Sequence, residues 1–136
     1  MLYVLDTNAC IALINGRPPV VRERFAAALA DGATVSVSAV AAFELWYGVD
    51  KSTRQAFNTG RVETFFAGPV EVLAFDDTDA RQAGRVRAVL ERKGTPIGAY
   101  DLLVAGQALA RSAIVVTANA SEFGRVAGLA REDWTR

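Results

Sequence analysis

An uninterrupted apolar stretch near the start of the chain ends abruptly in an acid. Residues 2–5 are all apolar or aromatic, and Asp6 follows them directly. A short apolar run of this kind is typical of a strand buried on both faces, as in a parallel sheet. Ligands of open α/β sheets bind beyond the carboxyl ends of the strands. The sequence therefore predicts a buried parallel strand that brings the Asp6 carboxylate to a ligand-binding edge.

Strand-like and helix-like segments alternate along the rest of the chain. Further strands are predicted at 34–38, 71–75 and 114–117. Helices are predicted at about 7–15, 20–30, 39–49, 51–67, 78–93 and 99–111. Residues 129–134 fit either an edge strand or a packed tail. We expect residues 1–136 to form a single domain of the α/β class, a three-layer sandwich with a central, mainly parallel sheet flanked by helices.

Composition excludes several kinds of chemistry. The chain has no histidine, which removes histidine-based triads, histidine general bases and most zinc sites. Its formal net charge is +0, so the overall balance does not indicate a polyanionic partner. Cys10 is the only cysteine and is predicted to be a buried structural thiol. No apolar run approaches the roughly 20 residues of a membrane span, and we expect a soluble, cytoplasmic protein.

Two more carboxylates occupy positions where burial is expected. Glu44 falls on the apolar stripe of the predicted helix at 39–49, and Asp101 on that of the helix at 99–111. Each acid has a structural alternative: Asp6 or Asp101 could satisfy free amides at a helix start, and Glu44 could pair with an arginine. Three acids that converge from separate segments would repel one another, and a divalent cation is the usual remedy.

The available ligands favour a hard cation. Oxygen donors without histidine or thiolate suit Mg²⁺, with Mn²⁺ as a substitute, rather than zinc. Such an ion can present a water molecule to a phosphodiester. Thr117 and Asn119 follow the fourth predicted strand and should lie at the same sheet edge as Asp6. Together with Thr7 and Asn8 they could orient water or complete the coordination, although turn formation explains Asn119 equally well.

Other charged residues of the chain have structural interpretations. Asp76, Asp77 and Asp79 precede or begin the helix at 78–93, where acids stabilise exposed amides, and we assign them to capping. The same helix carries several arginines, for which a solvated face is a better explanation than a phosphate-binding surface. These arginines are Arg81, Arg85, Arg87 and Arg92.

Several motifs, in this order and spacing, resemble those of the PIN-domain ribonucleases, and most closely the VapC-type toxins of bacterial toxin–antitoxin pairs. The resemblance extends along nearly the whole chain. The matching segments include Leu5-Asp6-Thr7-Asn8, Phe43-Glu44-Leu45, the stretch from Pro96 to Ala105, and Val116-Thr117-Ala118-Asn119 with Glu122-Phe123.

The resemblance implies roles for individual residues. Asp6, Glu44 and Asp101 would bind the metal and catalyse the reaction, with Asn119 at a fourth position that is often aspartate in the family. Glu122 is close enough in sequence to compensate for that neutral amide, although local packing or capping explains it equally well. Thr7, Asn8 and Thr117 would support the site. Gln107 stands where family members often have histidine, and we place it outside the metal's ligands.

The resemblance also implies an activity and partners. The expected reaction is Mg²⁺-dependent endonucleolytic cleavage of structured cellular RNA, transfer or ribosomal, by metal-activated water. A homodimer is expected, neutralised by a cognate antitoxin, with DNA contacted only indirectly through the antitoxin and with no membrane involved.

Two alternative functions, each from a different class of protein, can be considered from the sequence. The chain could be a catalytically weak binding module of the same fold that acts with a DNA-binding partner, and Asn119 in place of an acid is the only support for this. A metal-dependent phosphatase would need an Asp-x-Asp motif after the first strand, but Asn8 occupies the second position.

Overall fold

The computed structural model describes all 136 residues and contains a five-stranded parallel sheet with helices on both faces. The strands are β1 (Leu2–Leu5), β2 (Thr34–Ser38), β3 (Glu71–Leu73), β4 (Ile114–Val116) and β5 (Ala130–Glu132). The helices are α1 (Thr7–Asn15), α2 (Val20–Ala30), α3 (Ala39–Asp50), α4 (Gln55–Ala67), α5 (Asp77–Arg92), α6 (Ala99–Ala110) and α7 (Ala120–Phe123). The strand order is β3-β2-β1-β4-β5. The predicted α/β class and three-layer arrangement are confirmed.

Strand β1 lies at the centre of the sheet, as its apolar sequence predicts. Val4 is in register with Ser36 on one side and with Val115 on the other, and it is fully buried. The hydroxyl of Ser36 donates to the carbonyl of Tyr3 at 2.6 Å, which satisfies a polar side chain inside the sheet. The Asp6 amide then donates to the Val116 carbonyl at 3.1 Å, so Asp6 leaves the sheet between two paired strands.

The side chains of β1 alternate between the two faces of the sheet. Tyr3 and Leu5 belong to a cluster of 15 buried residues that also includes side chains of α1 to α4. Val4 belongs to a second cluster of 11 buried residues, formed largely with α5 and α6. Because both faces of β1 are covered, its apolar run has no polar alternation.

Helices α5 and α6 pack very closely. A Cβ added to Gly106 of α6 would lie 2.5 Å from the Cα of Ala83 in α5, so only glycine permits this approach. Helix α6 carries Asp101 in its first turn. This contact therefore helps to fix the height of Asp101 above the sheet.

The acids at the start of α5 have the capping roles that the sequence predicts. Asp76 caps the helix and accepts from the Asp79 amide at 3.0 Å, while Asp79 accepts in return from the Asp76 amide at 3.0 Å. Asp77 lies exposed in the first turn. The four α5 arginines are all exposed, which confirms a solvated face.

A buried network ties α5 to the end of α6. Asp79 is 1% exposed and accepts hydrogen bonds from Gln107 at 2.9 Å and from Arg111 at 3.0 Å. Burial alone would raise the pKa of Asp79, but the hydrogen bonds and the Arg111 charge outweigh it and lower the pKa. Gln107 thus lies in a structural network and hydrogen-bonds none of the three predicted metal-binding acids.

Several predicted boundaries were wrong; α3 ends at Asp50, α6 at Ala110 and β4 at Val116, each one residue from the prediction. Helix α4 begins at Gln55 rather than at 51, because Ser52 accepts from Asn58 and donates to the Val49 carbonyl in an intervening turn. Strand β3 ends at Leu73, since the carbonyl of Ala74 accepts from Gln107 and Arg111 instead of from a strand. Helix α5 begins and ends one residue earlier than predicted.

The tail forms an edge strand, which decides between the two alternatives left open by the sequence. Strand β5 pairs in parallel with β4, and Trp134 beyond it is buried against Tyr3 with ring centroids 5.1 Å apart. None of the seven helices combines the length and the apolar character needed to cross a bilayer.

Candidate functional site

Asp6 is nearly inaccessible and is held by two hydrogen bonds. It is 4% exposed, its Oδ1 accepts from the Ala9 amide at 2.7 Å, and the Thr117 hydroxyl also bonds to its carboxylate. Burial raises the pKa of Asp6 and the Glu44 charge adds to this effect, although the two hydrogen bonds oppose it. Asp6 therefore caps helix α1, which confirms the capping alternative. Its carboxylate is also buried at the edge of the sheet.

Glu44 lies half-buried in the middle of α3 and points towards the start of α1. The Thr7 hydroxyl donates to its Oε1 at 2.7 Å. The ion pairs of the chain do not include Glu44, so the arginine partner considered from the sequence is absent. A threonine hydroxyl orients this carboxylate without neutralising it.

Among the acids of the site, Asp101 has the pKa that is shifted furthest from its ordinary value. Its pKa is raised to about 7, first by burial, then by a hydrogen bond and repulsion from Glu122, and further by the charges of Asp6 and Glu44. The three acids predicted from separate segments therefore lie within electrostatic reach of one another. A carboxyl that titrates near neutral pH is characteristic of functional sites.

Glu122 is the ionised partner of this carboxyl pair. A hydrogen bond from Asp101 lowers the pKa of Glu122, and the Gly98 amide, which donates to its Oε1 at 3.1 Å, adds to the shift. Two carboxyl groups that share one proton are the expected result of placing like charges together. Glu122 thus belongs to the acid cluster, as the sequence suggested.

Asn119 contributes its amide nitrogen, rather than its oxygen, to the acids. Its Oδ1 accepts from the Glu122 amide at 3.3 Å and from the Ser121 hydroxyl at 2.9 Å, which fixes the orientation of the side chain. Its Nδ2 donates to Asp101 at 3.4 Å and to Glu122 at 3.2 Å. Asn119 is therefore a hydrogen-bond donor that partly offsets the negative charge at the fourth position.

The remaining predicted residues have different environments. Thr117 is buried and accepts from the Asn119 amide at 2.9 Å, so it joins the loop after β4 to Asp6. Asn8 is exposed in the first turn of α1, and none of the side-chain hydrogen bonds of the acids involves it.

The donor chemistry of this cluster fits a hard divalent cation. Its charged groups are all carboxylates, and burial together with their mutual repulsion raises the pKa values of Asp6 and Asp101. No group of three or more acids converges closely enough to ligate one ion directly. An ion here would have fewer than three direct carboxylate ligands, which suits Mg²⁺, an ion that usually binds one or two carboxylates and keeps several waters.

Sequence reasoning missed two features of the site. The first is the hydrogen bond from the Gly98 amide to Glu122. It forms because the loop that contains Gly98 meets α7, and no local sequence pattern indicates this contact. The second feature is a contact between Phe43 and Tyr100, whose rings lie 5.6 Å apart. Their position next to Glu44 and Asp101 in the sequence was the available signal.

Comparison with known families identifies the family of the chain. The PIN domain family model matches residues 3–129. The chain belongs to the PIN-domain family. The resemblance inferred from the sequence motifs is thereby confirmed.

Curated relatives of this PIN domain are ribonucleases. It is 42% identical over 132 residues to the tRNA(fMet)-specific endonuclease VapC of Salmonella typhimurium, a match that covers 97% of each chain. It is 36% identical over 136 residues to ribonuclease VapC2 of Rickettsia felis, covering both chains completely. The PIN domain is therefore an enzyme of the VapC-type ribonucleases.

Solved structures of relatives share the fold closely. The PIN domain superposes with a TM-score of 0.92 on VapBC2 from Rickettsia felis bound to a DNA fragment from its promoter, at 35% identity over 98% of this chain and 99% of the other. It superposes with a TM-score of 0.90 on DNA-bound VapBC from Salmonella typhimurium, at 42% identity and the same coverage.

Proposed function

We propose that this chain is a Mg²⁺-dependent endoribonuclease toxin, for which Mn²⁺ can substitute, and that Asp6, Glu44 and Asp101 form its catalytic centre. The convergence of these acids at the carboxyl edge of the sheet carries the proposal: burial and Glu122 raise the pKa of Asp101 to about 7, and the charges of Asp6 and Glu44 add to the shift. A chain with no need for such acids would not retain three mutually repelling carboxylates at one place.

Asp6 and Glu44 are fixed before any ligand arrives. The Ala9 amide holds one oxygen of Asp6, and the Thr7 hydroxyl holds one oxygen of Glu44. Each carboxylate keeps a second oxygen with which it would hold the cation. When bound, Mg²⁺ supplies a water molecule of lowered pKa and positive charge for the phosphoryl oxygens.

The carboxyl groups of Asp101 and Glu122 lie beside the proposed cation position. Burial and the neighbouring Glu122 raise the pKa of Asp101 to about 7, and the Asn119 amide donates to both carboxyls. A carboxyl that titrates close to the working pH is well matched to accept or return a proton during phosphodiester hydrolysis. The role of Asn119 is to position the pair rather than to ligate the ion.

The proposed substrate is structured cellular RNA, transfer or ribosomal. The Salmonella typhimurium relative is named as acting on tRNA(fMet), at 42% identity. The same fold tolerates different surfaces around the acids, and RNA choice depends on such surfaces. We therefore propose a class of RNA but no particular cleaved bond. The proposed place of action is the cytoplasm.

The proposed partners are a cognate antitoxin and a second copy of the chain. A cavity of about 220 Å³ runs beside Glu44, with apolar walls that include Ile11, Ile14 and Leu45. A peptide segment of the antitoxin would fit such a groove and block access to Glu44. Contact with promoter DNA would be made through the antitoxin, as the complexes of the relatives suggest.

RNA cleavage by the purified, antitoxin-free chain tests the proposed function. We expect total RNA to be cut with Mg²⁺ or Mn²⁺ and to remain intact with EDTA. The variants Asp6→Asn and Asp101→Asn should be inactive, and their expression in cells should no longer arrest growth. Asp50→Asn makes the same charge change at an exposed position of α3 and should cleave normally.

The outcome also separates the enzyme from a binding module. Metal-dependent cleavage that both Asn variants retain would contradict the site assignment. A complete lack of cleavage, with tRNA and rRNA both present and the chain folded, would contradict the enzyme and favour the module.

A further inference from the structure

Three exposed aromatic side chains form a continuous surface, which we call the aromatic patch: Phe43, Tyr47 and Tyr100. They are 52%, 58% and 46% exposed respectively. The Phe43 ring meets Tyr100 edge to face at 5.6 Å and lies nearly parallel to Tyr47 at 6.5 Å. Contiguous exposed aromatic surface is uncommon on a soluble protein without a binding role.

The aromatic patch borders the acid cluster. Phe43 directly precedes Glu44 on α3, and Tyr100 directly precedes Asp101 on α6. The same approach of the two helices that lets the Glu44 charge act on Asp101 brings the two aromatic rings into contact.

A cation lies beside the patch. The ammonium of Lys51 sits 5.1 Å from the centre of the Tyr47 ring, and Lys51 is exposed at the end of α3. A ligand suited to this surface carries flat apolar groups for the rings and negative charge for the ammonium. Single-stranded nucleic acid has both, because every base has a π-face and every linkage carries a phosphate.

We propose that the aromatic patch is a stacking platform for unpaired bases of the RNA substrate, next to the phosphodiester held at the acids. This inference rests on the proposed ribonuclease function and names the part of the RNA that the site takes. Bases in an A-form duplex are already stacked and face inward, so rings at the protein surface can reach only bases in loops, bulges or ends. The preferred cleavage position would then be single-stranded.

Binding of a short, mixed-sequence, fluorescein-labelled single-stranded RNA tests the platform. The measurement is made by anisotropy in the Asp6→Asn background with Mg²⁺ present, so that binding is measured without cleavage. Phe43→Ala and Tyr100→Ala should each weaken affinity about tenfold. Phe43→Tyr should restore it. Phe57→Ala is the matched control, since Phe57 has the same kind of side chain at 51% exposure on α4, and it should bind normally.

A second measurement addresses stacking itself. An RNA of the same length that is abasic throughout should bind the Asp6→Asn protein about tenfold more weakly than the intact RNA. In the Phe43→Ala protein the same abasic RNA should lose little further affinity, because the partner ring is already gone. Thermal unfolding of each variant confirms that it is folded, and two different ring deletions allow one to fail without loss of the test.

Three results would overturn the platform. One is wild-type RNA affinity in both folded ring variants. Another is an equal loss with abasic RNA in the presence and absence of the Phe43 ring. The third is a ring deletion that weakens RNA binding only by dissociating a dimer in sedimentation, which would assign the patch to a second copy of the chain. Failure of the ribonuclease proposal is distinct, because it appears as absent cleavage by the unsubstituted protein.

Discussion

The hydroxyl of Thr7 donates to Oε1 of Glu44 at 2.7 Å and joins the start of α1 to the middle of α3. Thr7 follows Asp6 directly, so one short segment supplies a carboxylate and orients another. Glu44 has no cationic partner, and this hydroxyl determines which of its oxygens remains free. The geometry of the site therefore depends on a residue that bears no charge.

Replacing Thr7 by valine should weaken cation binding while leaving the fold intact. Valine has nearly the same shape but no donor, so Glu44 loses its fixed orientation. Loss of a group that orients a metal ligand typically costs about 10–100-fold in affinity or activity. Titration calorimetry with Mn²⁺ measures the effect, and Thr7→Ser, which keeps the hydroxyl, is the control. Equal affinities of the valine and serine variants would show that this hydrogen bond is unimportant.

Asp6→Asn should separate catalysis from stability. Asparagine caps a helix as well as aspartate does, so the bond from the Ala9 amide persists and the free energy of unfolding should be unchanged or higher as repulsion falls. RNA cleavage should drop at least about a hundredfold. Asp6→Ala removes the cap as well and should cost about 1 kcal/mol in urea unfolding. A large stability loss in the asparagine variant would contradict the separation.

Gly106→Ala should destabilise the chain although alanine favours helices. The added Cβ would lie 2.6 Å from the Cβ of Ala83, and overpacking of this kind costs about 1–3 kcal/mol. Gly84→Ala on α5 is the matched control: a Cβ there meets nothing within 4 Å, and it should stabilise by about 0.5–1 kcal/mol. Thermal unfolding measures both. Similar effects of the two substitutions would argue against a tight crossing of α5 and α6.

The contribution of Asp79 to stability should depend on pH. Its pKa in the folded chain is lowered below the ordinary 3.8, so its stabilising effect is present above that value and is lost as pH falls through the lowered pKa. Asp79→Asn should therefore cost about 1–3 kcal/mol at neutral pH, and the difference from the parent should shrink at acid pH. Urea unfolding across this pH range measures it. Exposed Asp77→Asn should show no comparable dependence, and a pH-independent loss in Asp79→Asn would exclude the ion pair as its cause.

Asn119→Asp should strengthen cation binding at a cost to the metal-free chain. The change replaces the amide that donates to Asp101 and Glu122 with another negative charge. Repulsion among the acids should then lower the melting temperature in EDTA, while Mn²⁺ should raise it by more than in the parent chain. Unchanged melting temperatures under both conditions would show that a charge at residue 119 does not interact with the other acids.

Much of the fold follows from local patterns in the chain. The apolar run of β1 and the acids at the start of α5 are short-range signals, and each has the predicted role. The early end of β3 follows instead from hydrogen bonds of Ala74 with Gln107 and Arg111, more than 30 residues away. No window of sequence contains that information.

The sequence alone could name the acids that the fold brings near one another, but it could not give their geometry. Burial and position identified Asp6, Glu44 and Asp101, because an acid on an apolar stripe is conspicuous. The raised pKa of Asp101 depends on its burial and on the Glu122 side chain that α7 brings beside it, and the orientation of Asn119 depends on its bond to the Glu122 amide. These depend on distances between elements that periodicity does not specify.

The central place of β1 has a consequence for the timing of synthesis. Strand β1 is translated first among the strands, yet one of its two neighbours, β4, does not exist until residue 116 has been added. Asp6 cannot make its native hydrogen bonds before β4 is present, since its amide and its carboxylate both bind residues at the carboxyl end of β4. A ribosome-bound chain shorter than Glu122 lacks part of the acid cluster. The acid cluster is therefore complete only when nearly the whole chain has been translated.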